Sequence, residues 1–223
     1  TVDGVVVTRS KSAAIADRGA AGVPLIAGSN RDEGTLFAAL IPEAAHGQFT
    51  AVAAGMVTGG SDPRPYLAAV HTAHPDDESA RFEQIWSDAF LVVSVGAAQR
   101  ATEAGPGGWL YRFDMESTVP FLGKQLGATH AAEIVFTFNA VGDDFALNLY
   151  DGDDPDVRSL AERWSNTIIA FARTGNPNGA GLPEWPRYSA EDRRTLVLDA
   201  NSRVEADFER DRLNLWKSVG ITP

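Results

Sequence analysis

An α/β fold is what the sequence predicts, and three observations carry it. Short apolar runs are bounded by turn residues, longer segments repeat their apolar residues at three- and four-residue steps, and the two kinds alternate along the chain. Val23-Pro24-Leu25-Ile26-Ala27 is one such run. It gives way to Gly28-Ser29-Asn30, the pattern of a buried central strand whose carboxyl end opens into a loop. From Ser79 to Thr102, Phe82, Ile85, Trp86, Ala89, Phe90, Val93 and Ala97 share one face of a long packed helix that closes near Gly105. Trp109 to Phe113, between the Gly107-Gly108 pair and Asp114, is aromatic-rich and alternating, which predicts a second strand.

Further on, Asp154 and Pro155 supply a cap and a first-turn proline. Leu160, Trp164, Ile168 and Phe171 then mark one helix face until Gly175 ends it. An irregular connection through Asn176-Pro177-Asn178-Gly179 and Pro183-Glu184-Trp185-Pro186 leads to a short strand, Thr195 to Leu198, and a terminal helix, Arg210 to Ser218. Only two or three strands of a major sheet are visible, whereas a sheet usually has about five or six. The expectation is that further strands of the same sheet lie outside this sequence. No internal repeat and no low-complexity tract interrupts it.

Composition narrows the function classes. The 223 residues are 44% hydrophobic and 22% charged, as in ordinary globular domains. Lysine and arginine number 19 against 30 aspartates and glutamates, so the net charge of -11 repels a polyanion and nucleic acid is not an expected partner. The absence of cysteine excludes a disulfide framework, a cysteine nucleophile and a thiolate metal site, and leaves the compartment open. The most apolar stretch, Phe90 to Ala98, falls well short of the roughly 20 residues needed to cross a bilayer, so no membrane span is expected. Thr1 to Thr8 lack the basic start and apolar core of a signal peptide, and nothing here addresses the chain to export.

Two segments could carry chemistry. Asn30-Arg31-Asp32-Glu33-Gly34 follows the first strand at its carboxyl end, where open α/β sheets present functional groups; a polar turn with solvated charges is the plainer alternative. His130 follows the second strand and a loop, and by itself is equally compatible with a histidine that has no role. Taken together, an acid after one strand and a histidine after a later one match two parts of a hydrolase triad, in which the chain order is nucleophile, acid, histidine. The acid would fix the imidazole tautomer while the other ring nitrogen takes the proton of a serine hydroxyl. No serine in the sequence stands in a Gly-x-Ser-x-Gly elbow, so the nucleophile is expected from elsewhere.

Val23 to Phe37, with Gly28-Ser29-Asn30-Arg31-Asp32-Glu33-Gly34-Thr35 at its centre, resembles the acid segment of the type-B carboxylesterase and cholinesterase family, which includes bacterial para-nitrobenzyl esterases. Leu126 to Phe136 resembles the histidine segment. Ala170 to Asn178, with Trp185-Pro186, resembles the carboxyl-terminal signature. The resemblance spans nearly the whole chain in order. It implies the C-terminal part of an α/β-hydrolase fold, with late sheet strands and packing helices, residues 1–223 forming an incomplete domain whose amino-terminal strands are missing. It also implies that Glu33 rather than Asp32 is the triad acid, that His130 is the general base and later the general acid, and that no cofactor or metal is required. Glu133 corresponds to a family carboxylate close behind the histidine, either supporting it or solvated.

The implied substrate is a small-molecule ester, and the implied partner is the complementary amino-terminal part carrying the serine elbow and oxyanion loop. Alone, the chain is expected to be inactive and to expose an unpaired sheet edge. A noncatalytic interaction module is the alternative within the family. A rival lies in His71 to Glu78, where His74-Pro75-Asp76-Asp77-Glu78 resembles the metal-binding signature of zinc-dependent deacetylases acting on N-acetylglucosamine conjugates. Against it, the preceding Tyr66 to Val70 reads as helix rather than buried strand, and the segment reads more simply as a helix cap with acids in the first turn. His46 has no evident partner, and Phe37, Leu40 and Phe49 could line a pocket near the acid or simply pack.

Overall fold

The computed structural model describes residues 3–6, 8–9, 13–14, 22–142, 149–179 and 181–223. The opening stretch on which the export reading rests lies only partly within them. In chain order the regular elements are β1 (Leu25–Asn30), α1 (Glu33–Leu40), a short 3₁₀ turn (Glu43–Ala45), α2 (His46–Val57), α3 (Arg64–Ala73), α4 (Glu78–Glu103), β2 (Gly108–Phe113), α5 (Ile134–Thr137), α6 (Pro155–Thr174), β3 (Thr195–Leu198), β4 (Arg203–Glu205) and α7 (Arg210–Ser218).

The strands form one sheet in the order β1-β2-β3-β4. β1 and β2 are parallel from Leu25 opposite Gly108 to Asn30 opposite Phe113. β2 and β3 are parallel, and β3 and β4 antiparallel. Side chains alternate between two cores, as a pleated strand requires. Ala27, Leu110 and Val197 face a core built with α2, α3, α4 and α7, while Ile26, Trp109, Phe113, Leu196 and Leu198 face one built with α5 and α6. Helices therefore cover both faces, the arrangement that buries a parallel sheet.

The first strand is displaced from its predicted limits: it begins at Leu25 and continues through Gly28-Ser29-Asn30. Its backbone groups remain satisfied there despite the turn-forming composition. Arg31 N–H still reaches the Phe113 carbonyl at 2.9 Å. On the other edge, Ser94 Oγ donates to the Gly28 carbonyl at 2.6 Å and Asn30 N–H donates to Glu33 Oε1 at 2.7 Å. β4 escaped the sequence reading because three residues with a charge at each end carry almost no alternation; as a short charged strand it suits a sheet edge.

The long helix α4 matches its predicted extent within a residue at each end, but Val93, placed on its packed face, is 46% exposed. α4 packs against α1, α2, β1 and β2 at once, so burial spreads to Leu91, Val92, Val95 and Ala98 and the solvent side narrows to a strip containing Val93. Asp77 caps this helix, accepting from Ala80 N–H at 2.9 Å, and Glu78 stands in its first turn. At α6, Asp154 caps the helix, Pro155 opens it and Gly175 ends it in the left-handed conformation.

A buried ionic knot ties three helices. Asp88 of α4 is fully buried; Tyr66 of α3 donates its hydroxyl to Asp88 Oδ2 at 2.6 Å, Arg212 of α7 places Nε 3.1 Å from Oδ1, and Trp216 Nε1 approaches Oδ2 at 3.4 Å. Burial pushes the Asp88 carboxyl above the usual carboxylate range, opposed chiefly by Arg212.

Candidate active site

The acid segment is assembled from the sheet outward. β1 ends at Asn30, the chain turns through Arg31 and Asp32, and Glu33 is the first residue of α1. Gly34 lets that first turn sit directly on α4, because a Cβ there would lie 2.1 Å from the Glu83 carbonyl oxygen. Gly34 N–H donates to Ser87 Oγ at 3.1 Å, adding a hydrogen bond to the close approach. The result is that Glu33 is held with 4% of its surface exposed.

The histidine segment is laid against this turn by hydrogen bonds rather than by regular structure. Asp32 N–H donates to the Ala128 carbonyl at 2.9 Å, and Ala128 N–H donates back to Asp32 Oδ2 at 2.9 Å. Asp32 and Thr129 form an isolated parallel bridge. Thr35 Oγ1 lies 2.8 Å from Thr129 Oγ1 and 2.7 Å from the Leu126 carbonyl oxygen. Gly127 adopts φ +67°, and a Cβ there would stand 2.3 Å from Asp32 Oδ2, so glycine answers both the conformation and the close approach.

This brings together the two residues singled out from the sequence. His130 Nδ1 is 2.6 Å from Glu33 Oε2, a short charge-assisted contact, and the other carboxylate oxygen accepts Asn30 N–H. With Nδ1 committed to the carboxylate, Nε2 is the nitrogen left for proton transfer. The imidazole side chain is 35% exposed and that of Glu33 6%, so the acid lies inside and the ring reaches outward. The ring centroids of Phe37 and Phe90 stand 5.1 and 4.6 Å from that of His130. The hydrogen bond to Glu33 raises the His130 pKa above its ordinary value; partial burial opposes this, and the charges of Glu33 and Glu133 add to it.

Glu133 lies in the turn that follows, not on a shared helix face with His130, since α5 starts only at Ile134. It is part-buried, and its Oε2 accepts from Asn30 Nδ2 at 2.6 Å. Burial pushes its carboxyl upward. Ala131, between the two, has φ +65°, a conformation that costs a residue with a side chain about 1–2 kcal/mol.

The other candidates are dispersed. His74 Nε2 is 2.7 Å from Gln84 Oε1, His71 lies in the last turn of α3, and Asp77 caps α4. Among the described residues no three histidine, aspartate or glutamate side chains are grouped to hold a metal ion. No helix among them is long and apolar enough to cross a membrane. His46 does have partners: it is buried, with Nε2 3.0 Å from the Ile41 carbonyl oxygen and its ring stacked 3.9 Å from Phe82. Phe37 packs on Trp86 at 4.2 Å, whereas Leu40 and Phe49 lie at the surface. Asn30, Asp32, Thr35 and Thr129 were not assigned roles from sequence. The available signal was an asparagine closing a buried strand three residues before a carboxylate.

Comparison with known proteins gives the same frame. The model of the carboxylesterase family matches residues 61–216. The para-nitrobenzyl esterase of Bacillus subtilis (strain 168) is 32% identical over 209 residues, covering 93% of this chain and 40% of the relative. The phenmedipham hydrolase of Pseudarthrobacter oxydans is 30% identical over 203 residues, covering 84% and 38%. A solved PNB esterase superposes with a TM-score of 0.76 at 25% identity over 100% of this chain and 43% of its own. A carboxylesterase of Geobacillus stearothermophilus gives 0.73 at 27% identity over 96% and 44%. The chain thus spans 40% or less of the length of these two curated relatives. Its sheet and packing helices are part of the α/β-hydrolase fold, and the chain belongs to the carboxylesterase family.

Proposed function

We propose that these residues are the C-terminal portion of a serine carboxylic ester hydrolase, contributing Glu33 as triad acid and His130 as general base and acid, while a serine and an oxyanion hole come from polypeptide outside the 223 residues. The observation that carries the proposal is the 2.6 Å contact between His130 Nδ1 and a nearly buried Glu33, the imidazole side chain itself being 35% exposed. Among the described residues no serine hydroxyl is hydrogen-bonded to that ring. Residues 1–223 then form an incomplete domain, and its complement is the amino-terminal part of the same enzyme.

The chemistry follows from the geometry. As a serine Oγ bonds to the ester carbonyl carbon, its proton passes to His130 Nε2, and Glu33 holds the Nδ1–H and balances the imidazolium charge. Collapse of the tetrahedral intermediate breaks the bond to the alcohol oxygen, which takes the Nε2 proton as it leaves. A water molecule then gives a proton to Nε2 and attacks the acyl carbon, and the return of that proton to serine releases the acid. No step calls for a metal or organic cofactor. The name of the Bacillus subtilis relative points to para-nitrobenzyl esters as first substrates to try.

The test is a chromogenic para-nitrobenzyl ester assay on this chain, alone and recombined with an amino-terminal complement. Turnover is expected only in the recombined enzyme, and His130→Ala should reduce it about 10⁴-fold or more without unfolding it. Retained turnover in that variant, or activity of this chain alone, would refute the assignment.

A further inference from the structure

We propose that Asn30 is a positioning residue that holds the acid and the histidine segment in register through three donated hydrogen bonds, an inference that rests on the esterase reading of Glu33 and His130. Asn30 is 3% exposed at the end of β1. Its main-chain N–H donates to Glu33 Oε1 at 2.7 Å. Its side-chain Nδ2 donates to the Thr129 carbonyl at 2.6 Å and to Glu133 Oε2 at 2.6 Å. The histidine is therefore bracketed: the residue before it and a carboxylate three residues after it are tied to one amide, whose own backbone grips the acid.

Two features separate this from ordinary packing. The Thr129 carbonyl can only accept, which fixes which way the Asn30 amide faces, since a flipped amide would set oxygen against oxygen. That orientation leaves Asn30 Oδ1 buried without a hydrogen-bond partner among the described residues. Buried acceptors are nearly always satisfied, and an apolar side chain of similar size would leave no bare oxygen. Here both donors are directed at the histidine segment at the expense of the acceptor. The second feature is the backbone between the tether points, which includes the left-handed Ala131; a strained span persists when its ends are fixed.

The experiment is an NMR titration of the His130 ring in this chain and in Asn30→Ala, with Ser94→Ala as control. Ser94 is a buried side chain bonded to the same strand through the Gly28 carbonyl, with its hydrogen bond made to neither Glu33 nor His130. In the unaltered protein His130 should show a far-downfield Nδ1 proton and titrate above ordinary histidine. In Asn30→Ala the proton should move upfield or be lost to exchange and the titration fall toward the ordinary value, while Ser94→Ala lowers the melting temperature and leaves both where they were. An unchanged His130 in Asn30→Ala, or an equal change in Ser94→Ala, overturns the proposal while the Glu33–His130 reading stands. An ordinary His130 in the unaltered protein overturns that reading and this one with it. Should Asn30→Ala fail to fold, hydrogen exchange of the two Asn30 side-chain protons in the unaltered protein decides the matter: protection supports the tether, and exchange at the solvent rate rejects it.

Discussion

Asp32 and Ala128 hold one another twice, through Asp32 N–H to the Ala128 carbonyl and Ala128 N–H to Asp32 Oδ2, each at 2.9 Å. The pair sits one residue before Glu33 and two before His130, so it sets the separation of the two. Asp32→Ala removes the charged acceptor and leaves the Ala128 N–H without it. We expect a loss of about 1.5–3 kcal/mol in urea unfolding, with Asp32→Asn costing less because its carbonyl oxygen can still accept. A loss below about 0.5 kcal/mol for Asp32→Ala would mean that the histidine segment is held by something else.

The sign of the pH dependence follows from the raised His130 pKa. The imidazole gains a partner on folding, so its stabilising contribution is fully present below the unfolded value of about 6.5 and is lost as pH rises through the higher folded value. Glu33→Gln removes most of that gain. The difference in melting temperature between the unaltered protein and Glu33→Gln should be larger at pH 6 than at pH 9. A difference that does not change with pH would contradict an ionic Glu33–His130 contact.

Ala131 stands in the left-handed region, directly after His130. Ala131→Gly should raise stability by about 1 kcal/mol, because glycine adopts this φ without steric cost. Ala132→Gly, at a buried neighbour with ordinary φ, should instead lower it. Chemical denaturation of the two variants side by side checks both signs.

Arg212 is the cationic partner of a carboxylate with no exposed surface. Its truncation to alanine should cost about 3 kcal/mol or more, since a buried charge is left uncompensated, and should loosen α7 first. Limited proteolysis within α7, together with an unfolding curve, tests this. Asp88→Asn should be milder, because the amide can still accept from Tyr66 and carries no charge to strand.

Much of this architecture was legible in the sequence because it depends on period and punctuation. Thr195 to Leu198, Arg210 to Ser218 and the capped helix ending at Gly175 fall where apolar spacing and turn residues place them. Glu33 and His130 were legible as a pair through resemblance and chain order, and the structure puts them in contact. What escaped was set by tertiary packing. Gly28-Ser29-Asn30 has turn composition yet stays extended, because β2, Ser94 and Glu33 satisfy its backbone groups. Glu33 opens a helix whose first turn is stabilised by Gly34 against Glu83 and Ser87, two residues some fifty positions away in sequence. The aromatic neighbours of His130 on α4 and α1 cannot be paired from spacing alone.

Among the described residues β1 is one of the two edge strands of the sheet, and the carboxylate just past its tip is already locked to the imidazole by a hydrogen bond internal to this chain. On the proposed esterase reading, a polypeptide that docks alongside it inherits a finished proton relay. Its alignment task reduces to bringing one oxygen atom to one nitrogen atom, a single distance to tune, and errors in that docking would weaken turnover without disturbing the relay itself.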